Sequence, residues 1–455
     1  PRDMSDDTPL AADTASDPWA YDAKTPPARV PLALLPVFVD LLRDPQRRAD
    51  HVFHGALMVR KLLATDDVPP IQAVIDAGAV PLLMLCLRGP SVELQFEACW
   101  ALSNVTSGTT AQMQVVIWAG FIPELVPLLD SPSEDVREQA AWAVGNIAGD
   151  GTEARDLFLR AGVMPPLLRC AASESPKITV MRNALWALSN MIRVKPLPDW
   201  ATVVVPTLPL IASRLHHRDS ELAADACWAL SYLSDEPTNV EQMEAVLNIE
   251  GLLPRVVQLL ATGSPAQVPA LRTVGNIVLS SDPKSLLEVG LLQYLSPLLE
   301  GSASSGIRKA ALWALSNIAV GCSQHIQKIL DAHLLPIVIA QALPEGGGED
   351  TVRKEAVWTL VNMVASGTEA QRLTLAYCGA LSALCSGLSL VPRAHAAFEV
   401  LLRELVEDGC ADNGEICASE IMSLLGAAGV GALRSQAAAG LIEPSGLTMA
   451  ILLAH

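Results

Sequence analysis

A five-residue segment built around tryptophan and asparagine returns seven times along this chain. Consecutive copies begin 42, 44, 42, 44, 41 and 45 residues apart, at Trp100–Asn104, Trp142–Asn146, Trp186–Asn190, Trp228–Tyr232, Arg272–Asn276, Trp313–Asn317 and Trp358–Asn362. Seven matches in register indicate one structural unit used again and again, since unrelated domains would not keep a common spacing. This repeat restricts the possible folds more than any other feature of the sequence.

A second marker runs in phase with the first and divides each unit into helices. A glycine followed three residues later by proline occurs in 77–81, 119–123 and 161–165, with weaker copies at Gly251, Gly290, His333 and Gly379. Glycine commonly ends a helix, and proline is tolerated in the first turn of the next one. Each unit is therefore predicted to contain a short helix, a longer helix, a polar joint and a third helix that carries the tryptophan motif.

The spacing predicts an all-α fold. A period of about 40–47 residues with two or three helices is typical of HEAT and armadillo units, and the glycine–proline break favours armadillo. We expect an armadillo-repeat, right-handed superhelical solenoid (an α-α superhelix) with a concave groove. Three segments are predicted: residues 1–30, an acidic, proline-containing and disordered segment; residues 31–425, the solenoid, with about eight clear repeats to about residue 385 and degenerate capping repeats after it; and residues 426–455, a C-terminal tail.

Each tryptophan lies on a polar stripe of its helix. Residues three and four positions apart share a helix face, and most residues one turn before the motif are polar or acidic: Glu97, Gln139, Asn183, Asp225 and Glu355. The alternative is that each tryptophan is a packing residue and each asparagine a hydrogen-bonding residue at a helix end. The repetition of so polar a face favours a stripe that lies outside the core.

Such a stripe suits an extended basic peptide. Slots between parallel indole rings can hold the methylene stems of Lys or Arg through cation–π attraction. Asparagine amides can bond to a peptide backbone, and acidic groups can meet the charged heads. The formal net charge of −18 favours basic partners and argues against nucleic acid.

The sequence favours a binding protein over an enzyme. It has no phosphate-binding G-x-x-x-x-G-K segment, and its histidine pairs lack cysteine or carboxylate neighbours at metal-ligand spacing. No catalytic residue, metal or cofactor is predicted. The nine cysteines are expected to be unpaired packing residues, and the longest uncharged run, 373–392, falls inside the repeat pattern, so no membrane span is expected.

From about Pro31 to Cys385 the sequence resembles the importin-α (karyopherin-α) family. The similarity includes the tryptophan ladder, Arg60–Leu63 with Pro69–Ile71, the segment Asp225–Asp235 and the segment Ala270–Val278, and Tyr232 and Arg272 interrupt the ladder where the family interrupts it. The resemblance implies a nuclear import adaptor that binds basic nuclear localisation signals of cargo proteins and shuttles between cytoplasm and nucleus. The alternative is an armadillo scaffold, unconnected with import, that binds other extended peptides.

The resemblance also implies two peptide sites. The major site corresponds to Trp100, Asn104, Gly108, Gln139, Trp142, Asn146, Asp150, Asn183, Trp186, Asn190 and Asp225. Gly108 and Asp150 would hold the most deeply bound lysine, where Met113 replaces the threonine usual in the family. The minor site corresponds to Asp282, Trp313, Asn317, Glu355, Trp358 and Asn362, and Ala310 replaces its usual glutamate.

Two further partners follow from the resemblance alone. The family binds importin-β through a basic N-terminal arm, whereas only Arg2, Lys24 and Arg29 precede Val30 here. We therefore expect importin-β as a partner only if the full-length protein has such an arm. An export factor is implied at the C-terminal repeats, where no contact residue is assigned.

Overall fold

The computed structural model describes residues 19, 21–27, 30–44, 48–65, 68–175, 177–235, 240–261, 263–300, 303–344, 349–411 and 418–438. Within these ranges the regular structure is entirely helical. The chain divides into two compact units, Pro1–Arg214 and Leu215–His455.

The first unit contains the first three complete three-helix repeats. Its helices are α1 Leu35–Arg43, α2 Ala49–Leu63, α3 Ile71–Asp76, α4 Ala79–Leu87, α5 Val92–Thr106, α6 Thr110–Trp118, α7 Phe121–Leu128, α8 Glu134–Ala148, α9 Thr152–Arg160, α10 Met164–Ala172, α11 Ile178–Arg193 and α12 Val205–Leu215, the last of which ends at the first residue of the second unit.

The second unit continues the same three-helix pattern. Its helices are α13 Ser220–Leu233, α14 Val240–Leu247, α15 Leu252–Leu259, α16 Gln267–Ser280, α17 Lys284–Glu288, α18 Leu291–Leu299, α19 Ser305–Gly321, α20 Ser323–Asp331, α21 Leu335–Ala342, α22 Asp350–Ser366, α23 Glu369–Tyr377, α24 Ala380–Ser386, α25 Ala394–Ala411 and α26 Ala418–Ala438.

A left-handed residue separates the first and second helices of most repeats. Glycines fill this position with φ of 73° to 102°, at Gly78, Gly120, Gly162, Gly251, Gly290 and Gly379. His333 occupies the same place with φ of 56°. Because a residue with positive φ cannot continue a right-handed helix, the short first helix ends there and the chain turns. The predicted glycine–proline break is confirmed, and with it the armadillo form of the repeat.

The third helices build the core of each unit. In the first unit α5 packs between α2 and α8, and α8 packs against α11; in the second unit α13, α16, α19 and α22 pack in the same successive way. Their contacting faces carry small and aliphatic residues that are fully buried, such as Ala101, Leu102, Ala143 and Val144. Five of the described cysteines are also buried, in agreement with the prediction of packing residues.

Both predicted ends of the solenoid differ from the structure. Within residues 1–30, which were expected to be disordered, Tyr21 is buried and the Lys61 ammonium donates to the backbone carbonyls of Asp22, Ala23 and Thr25. At the other end, the three-helix pattern extends through α25, and α26 packs on α24 and continues to Ala438, beyond the expected limit at residue 425. The rest of the predicted tail, 439–455, lies outside the described residues.

Candidate functional site

The tryptophans of the ladder lie outside the hydrophobic core. In the first unit, Trp100 on α5 and Trp186 on α11 are half-buried, and Trp142 on α8 is 44% exposed. In the second unit Trp228, Trp313 and Trp358 are half-buried as well. The ladder therefore presents parts of its rings to solvent, as the stripe interpretation requires.

The slot between Trp142 and Trp186 is closed. Their ring centroids are 5.2 Å apart with an interplanar angle of 29°, whereas a methylene stem held between two rings needs about 7 Å, two carbon contacts of about 3.5 Å each. Gly145 allows this approach, because a Cβ at that position would lie 2.1 Å from Cζ3 of Trp186. The expectation of an open slot is wrong for this pair, and only the outer surfaces of the two rings remain available.

Trp100 is partly covered by an arginine of the preceding repeat. The Arg60 guanidinium carbon lies 4.3 Å from the Trp100 ring centroid, and Arg60 Nε donates to Glu97 Oε2 at 2.7 Å. Glu97 is buried, so this carboxylate pairs with Arg60 and does not lie on an exposed polar stripe. Sequence reasoning placed Glu97 on the exposed face and missed Arg60 as its partner.

The ladder amides bond to the preceding repeat. Asn190 Nδ2 donates to the Gly145 carbonyl at 3.0 Å, Asn276 Nδ2 to the Ser231 carbonyl at 2.9 Å, and Asn362 Nδ2 to Ser316 Oγ at 2.9 Å. Asn183 Nδ2 likewise donates to the Glu138 carbonyl at 3.3 Å. These bonds join neighbouring third helices, so the asparagines have a structural role that the peptide-contact interpretation set aside. Asn276 Nδ2 also donates to Ser234 Oγ at 3.3 Å, and Asn362 Nδ2 to the Ser316 carbonyl at 3.2 Å, whereas the amides of Asn190 and Asn183 retain a second N–H for another acceptor.

The Nδ2 atoms of two ladder amides are buried without such a bond. The Nδ2 atoms of Asn104 and Asn317 are buried without a hydrogen-bond partner among the described residues. A buried unsatisfied donor costs about 1–3 kcal/mol, so both atoms would gain from an added acceptor. One lies in the predicted major site and the other in the predicted minor site.

Asp150 is an exposed carboxylate at the end of α8. Its Oδ1 lies 3.4 Å from the Thr110 hydroxyl, which is at the N-terminus of α6. Half-buried Gly108 lies in the turn just before α6, so the two predicted lysine contacts flank one helix end. Met113, in contrast, is a core residue. The hydroxyl that sequence reasoning expected to be absent at Met113 is supplied near this carboxylate by Thr110.

Arg193 is a second arginine that the sequence analysis missed. Its Nη2 donates to the Gly149 carbonyl at 2.8 Å, and its Nε donates to Asn190 Oδ1 at 3.2 Å. It orients Asn190 and the residue next to Asp150. Gln139 and Asn146 are half-buried on the same helix as Trp142, so the predicted major-site residues of the first unit lie on three successive third helices and the turns after them.

The ladder is interrupted in the second unit. Trp228 stacks on Tyr232 with centroids 5.7 Å apart, and Arg272 lies over the Tyr232 ring and forms an ion pair with Asp235 at 3.1 Å. Arg272 is thus a salt-bridged spacer. Asp225, half-buried on α13, belongs to this unit.

The predicted minor-site residues are brought together on two packed helices and one turn. Trp313 and Asn317 lie on α19, Glu355, Trp358 and Asn362 on α22, and α19 packs against α22. Trp313 rests on Gly275, where a Cβ would lie 1.9 Å from its ring. Asp282 lies in the turn after α16 and shares a cavity with Asn317.

Glu355 is the half-buried carboxylate of this group. Burial raises the pKa of Glu355, and the nearby Lys309 and Lys354 lower it by a smaller amount. At neutral pH its charge is incompletely compensated. A cationic side chain bound beside Glu355 would supply the missing countercharge.

The described residues contain no group of three or more His, Cys, Asp and Glu side chains able to hold a metal ion. In the same part of the chain no single helix has the length and apolar composition of a membrane span, although α6 and α7 together meet that test as a pair bent by 76°.

Comparison with known proteins agrees with this geometry. The armadillo/β-catenin-like repeat family matches residues 67–107, 110–149, 151–193 and 282–320. A crystal structure of an engineered protein aligns with a TM-score of 0.72 and 25% identity, covering 91% of this chain and 96% of that one. Fold and repeats define the molecule as an armadillo-repeat protein, an all-α solenoid.

The sequence relatives within this class are importin subunits alpha. Importin subunit alpha-1a of Oryza sativa subsp. japonica is 42% identical over 284 residues, 61% of this chain and 53% of the relative. Importin subunit alpha-4 of Arabidopsis thaliana is 40% identical over 314 residues, 68% of this chain and 56% of the relative. The chain is similar to importin subunits alpha over these ranges, and it spans about half the length of the curated relatives it matches.

Proposed function

We propose that this chain is a non-enzymatic nuclear import adaptor that captures Lys/Arg-rich nuclear localisation signals of cargo proteins and shuttles between cytoplasm and nucleus. The observation that carries the proposal is the row of partly exposed tryptophans beside the exposed Asp150 carboxylate in the first unit. The importin subunits alpha among its relatives agree with it.

The contacts suggest how a basic peptide would bind to the first unit. A lysine ammonium can pair with Asp150, to which the Thr110 hydroxyl also donates. The stem of a neighbouring basic residue can lie across the exposed surface of Trp142 and gain about 0.5–2 kcal/mol from cation–π attraction. Free N–H groups of the ladder amides can bond to the peptide backbone. Asp225 is proposed as a further polar contact, and the Asp282–Asn362 set as a second peptide site.

Two partners of the proposed adaptor depend on more than these residues. Importin-β would bind through a basic N-terminal arm if the full-length protein has one, and an export factor would bind at the C-terminal repeats.

The test is calorimetry of the full chain with a short Lys/Arg-rich peptide at low salt. We expect micromolar or tighter binding, about 8 kcal/mol, and we expect Asp150→Lys to remove the binding at the first unit. The matched control is Asp76→Lys, which makes the same charge change at an exposed residue on α3 and should bind nearly as well. Absence of binding, or an acidic or phosphorylated peptide that outcompetes the basic one, would favour an armadillo scaffold with a different ligand.

A further inference from the structure

A cavity of about 540 Å³ opens in the second unit beside the predicted minor site. It lies between the turn after α16, the start of α17, the end of α19 and the start of α20. Its lining includes Asp282, Asn317, His325, Lys284 and Lys328. The cavity therefore combines one carboxylate and an unsatisfied amide donor with three side chains that are or can become positive.

His325 is held beside the only carboxylate in the lining of this cavity. Its Nε2 lies 3.4 Å from Asp282 Oδ1, and its side chain is 12% exposed while that of Asp282 is 68% exposed. The Nδ1 atom is buried without a hydrogen-bond partner in the described part of the chain. The ring lies over Gly321, where a Cβ would be 2.5 Å from Nδ1.

We propose that His325 determines the affinity of this cavity for a basic side chain and makes it depend on pH; the inference rests on the proposed function. When the imidazole is neutral, the Asp282 carboxylate beside it keeps its negative charge for a lysine or arginine. When the imidazole is protonated, it neutralises Asp282. Protonation of His325 therefore lowers the affinity of the cavity for a basic side chain.

The surrounding charges strengthen this effect. Lys284 lies at the rim and forms a long ion pair with Glu288, 3.9 Å, and Lys328 lies one turn after His325. The thiol of Cys322 also lines the cavity. The neighbouring helices α22 and α23 contribute uncharged groups, Ser366, which donates to the Val320 carbonyl, and Gln371, which donates to the Ser323 carbonyl. Protonation of His325 therefore adds to the positive charge that Lys284 and Lys328 already bring to the lining, and it disfavours a lysine further.

The first unit provides an internal comparison. Asp150 contacts the hydroxyl of Thr110, a group that does not titrate. Peptide binding at that surface should therefore change little between pH 8.0 and 5.5, whereas binding at the cavity should weaken by about tenfold over the same range, the size of effect that one unfavourable charge contact produces.

The experiment measures binding of a Lys/Arg-rich peptide by calorimetry in an Asp150→Lys background. In this background the measured binding comes from the second unit alone. We expect binding at pH 8.0, about tenfold weaker binding at pH 5.5, and release of protons on binding, detected by comparing buffers of different ionisation enthalpy. In His325→Gln, whose amide can still donate to Asp282, both the pH dependence and the proton release should disappear. Unchanged circular dichroism would show that the variant is folded.

The outcomes separate the two proposals. If the chain without the Asp150 substitution binds no basic peptide at pH 8.0, the proposed function fails. If it binds but the Asp150→Lys background does not, or if His325→Gln keeps the pH dependence, the inference about His325 is overturned. Asp282→Asn is the second check, since it should weaken binding at pH 8.0 and remove the pH dependence together; full binding by this variant would contradict the inference.

Discussion

At the scale of single residues, the tryptophan ladder is shaped by what lies beneath each ring. Gly145 lies under Trp186 and Gly275 lies under Trp313, whereas the other five copies of the motif carry serine or valine at the equivalent position. The recurring tryptophans and the break between helices were predictable, because both are local patterns. The closed Trp142–Trp186 contact was not, because it depends on the distance between two repeats.

Gly145→Ala should therefore disturb the ladder. The added Cβ would lie 2.1 Å from the Trp186 ring, so the ring must move, and we expect a loss of about 1–3 kcal/mol in urea unfolding. The control is Gly306→Ala in α19, where a Cβ would meet nothing within 4 Å and stability should be unchanged or slightly higher. Equal effects of the two substitutions would contradict this account.

Arg60→Ala should be costly because it leaves a buried charge unpaired. The side chains of Arg60 and Glu97 are 12% and 8% exposed, and breaking such a pair typically costs about 3–5 kcal/mol. Chemical denaturation should show a smaller loss in the double variant Arg60→Ala/Glu97→Gln. Arg88→Ala, which breaks the more exposed pair with Glu124, should cost less than about 1 kcal/mol; a larger loss there than at Arg60 would refute the prediction.

Glu355→Gln should stabilise the chain while weakening peptide binding. Because the pKa of Glu355 is raised in the folded state, its deprotonation costs the folded chain more than the unfolded one. That cost is present above the raised pKa and disappears as pH falls below the ordinary value of 4.5. We expect the melting temperature of the variant to rise by about 1–3 °C at pH 7 and to match the unsubstituted chain near pH 4. A gain that persists unchanged at pH 4 would exclude this cause.

At the scale of elements, the first repeat is completed by residues that precede it. Lys61 on α2 holds the carbonyls of Asp22, Ala23 and Thr25, and Trp19 stacks on His54 with ring centroids 4.5 Å apart. Composition alone suggested disorder for residues 1–30, since the segment is short, polar and rich in proline. The missing information was a single buried lysine about 40 residues further along the chain.

Lys61→Met should release this segment while preserving the packing of the methylene stem. Limited trypsin digestion should then cleave after Lys24 about tenfold faster, which corresponds to about 1.4 kcal/mol of local opening. Lys284→Met, which removes a lysine at the exposed surface of the second unit, is the control and should not change that rate. Equal cleavage in both variants would show that Lys61 does not hold the segment.

At the scale of the whole molecule, net charge affects how fast a basic peptide associates with the protein. A net charge of −18 attracts a basic peptide. Salt at 0.1 M screens this attraction beyond about 10 Å. We expect the association rate of a Lys/Arg-rich peptide to fall by about tenfold or more between low and high salt, with a smaller change in the dissociation rate. Stopped-flow fluorescence of the ladder tryptophans would measure both rates; an association rate independent of salt would contradict the proposal.

The bonds from Asn190, Asn276 and Asn362 to the preceding helix have a consequence for how such a protein can change. A recognition unit here consists of a tryptophan and amide from one repeat together with the glycine or carbonyl that seats them in the repeat before. If one repeat were moved to a new position in the array, its tryptophan and amide would lose the glycine or carbonyl that they contact in the preceding repeat. Duplication, deletion or engineering of specificity should therefore succeed when adjacent pairs of repeats are transplanted together. The structural unit that must be kept intact is the junction between two repeats.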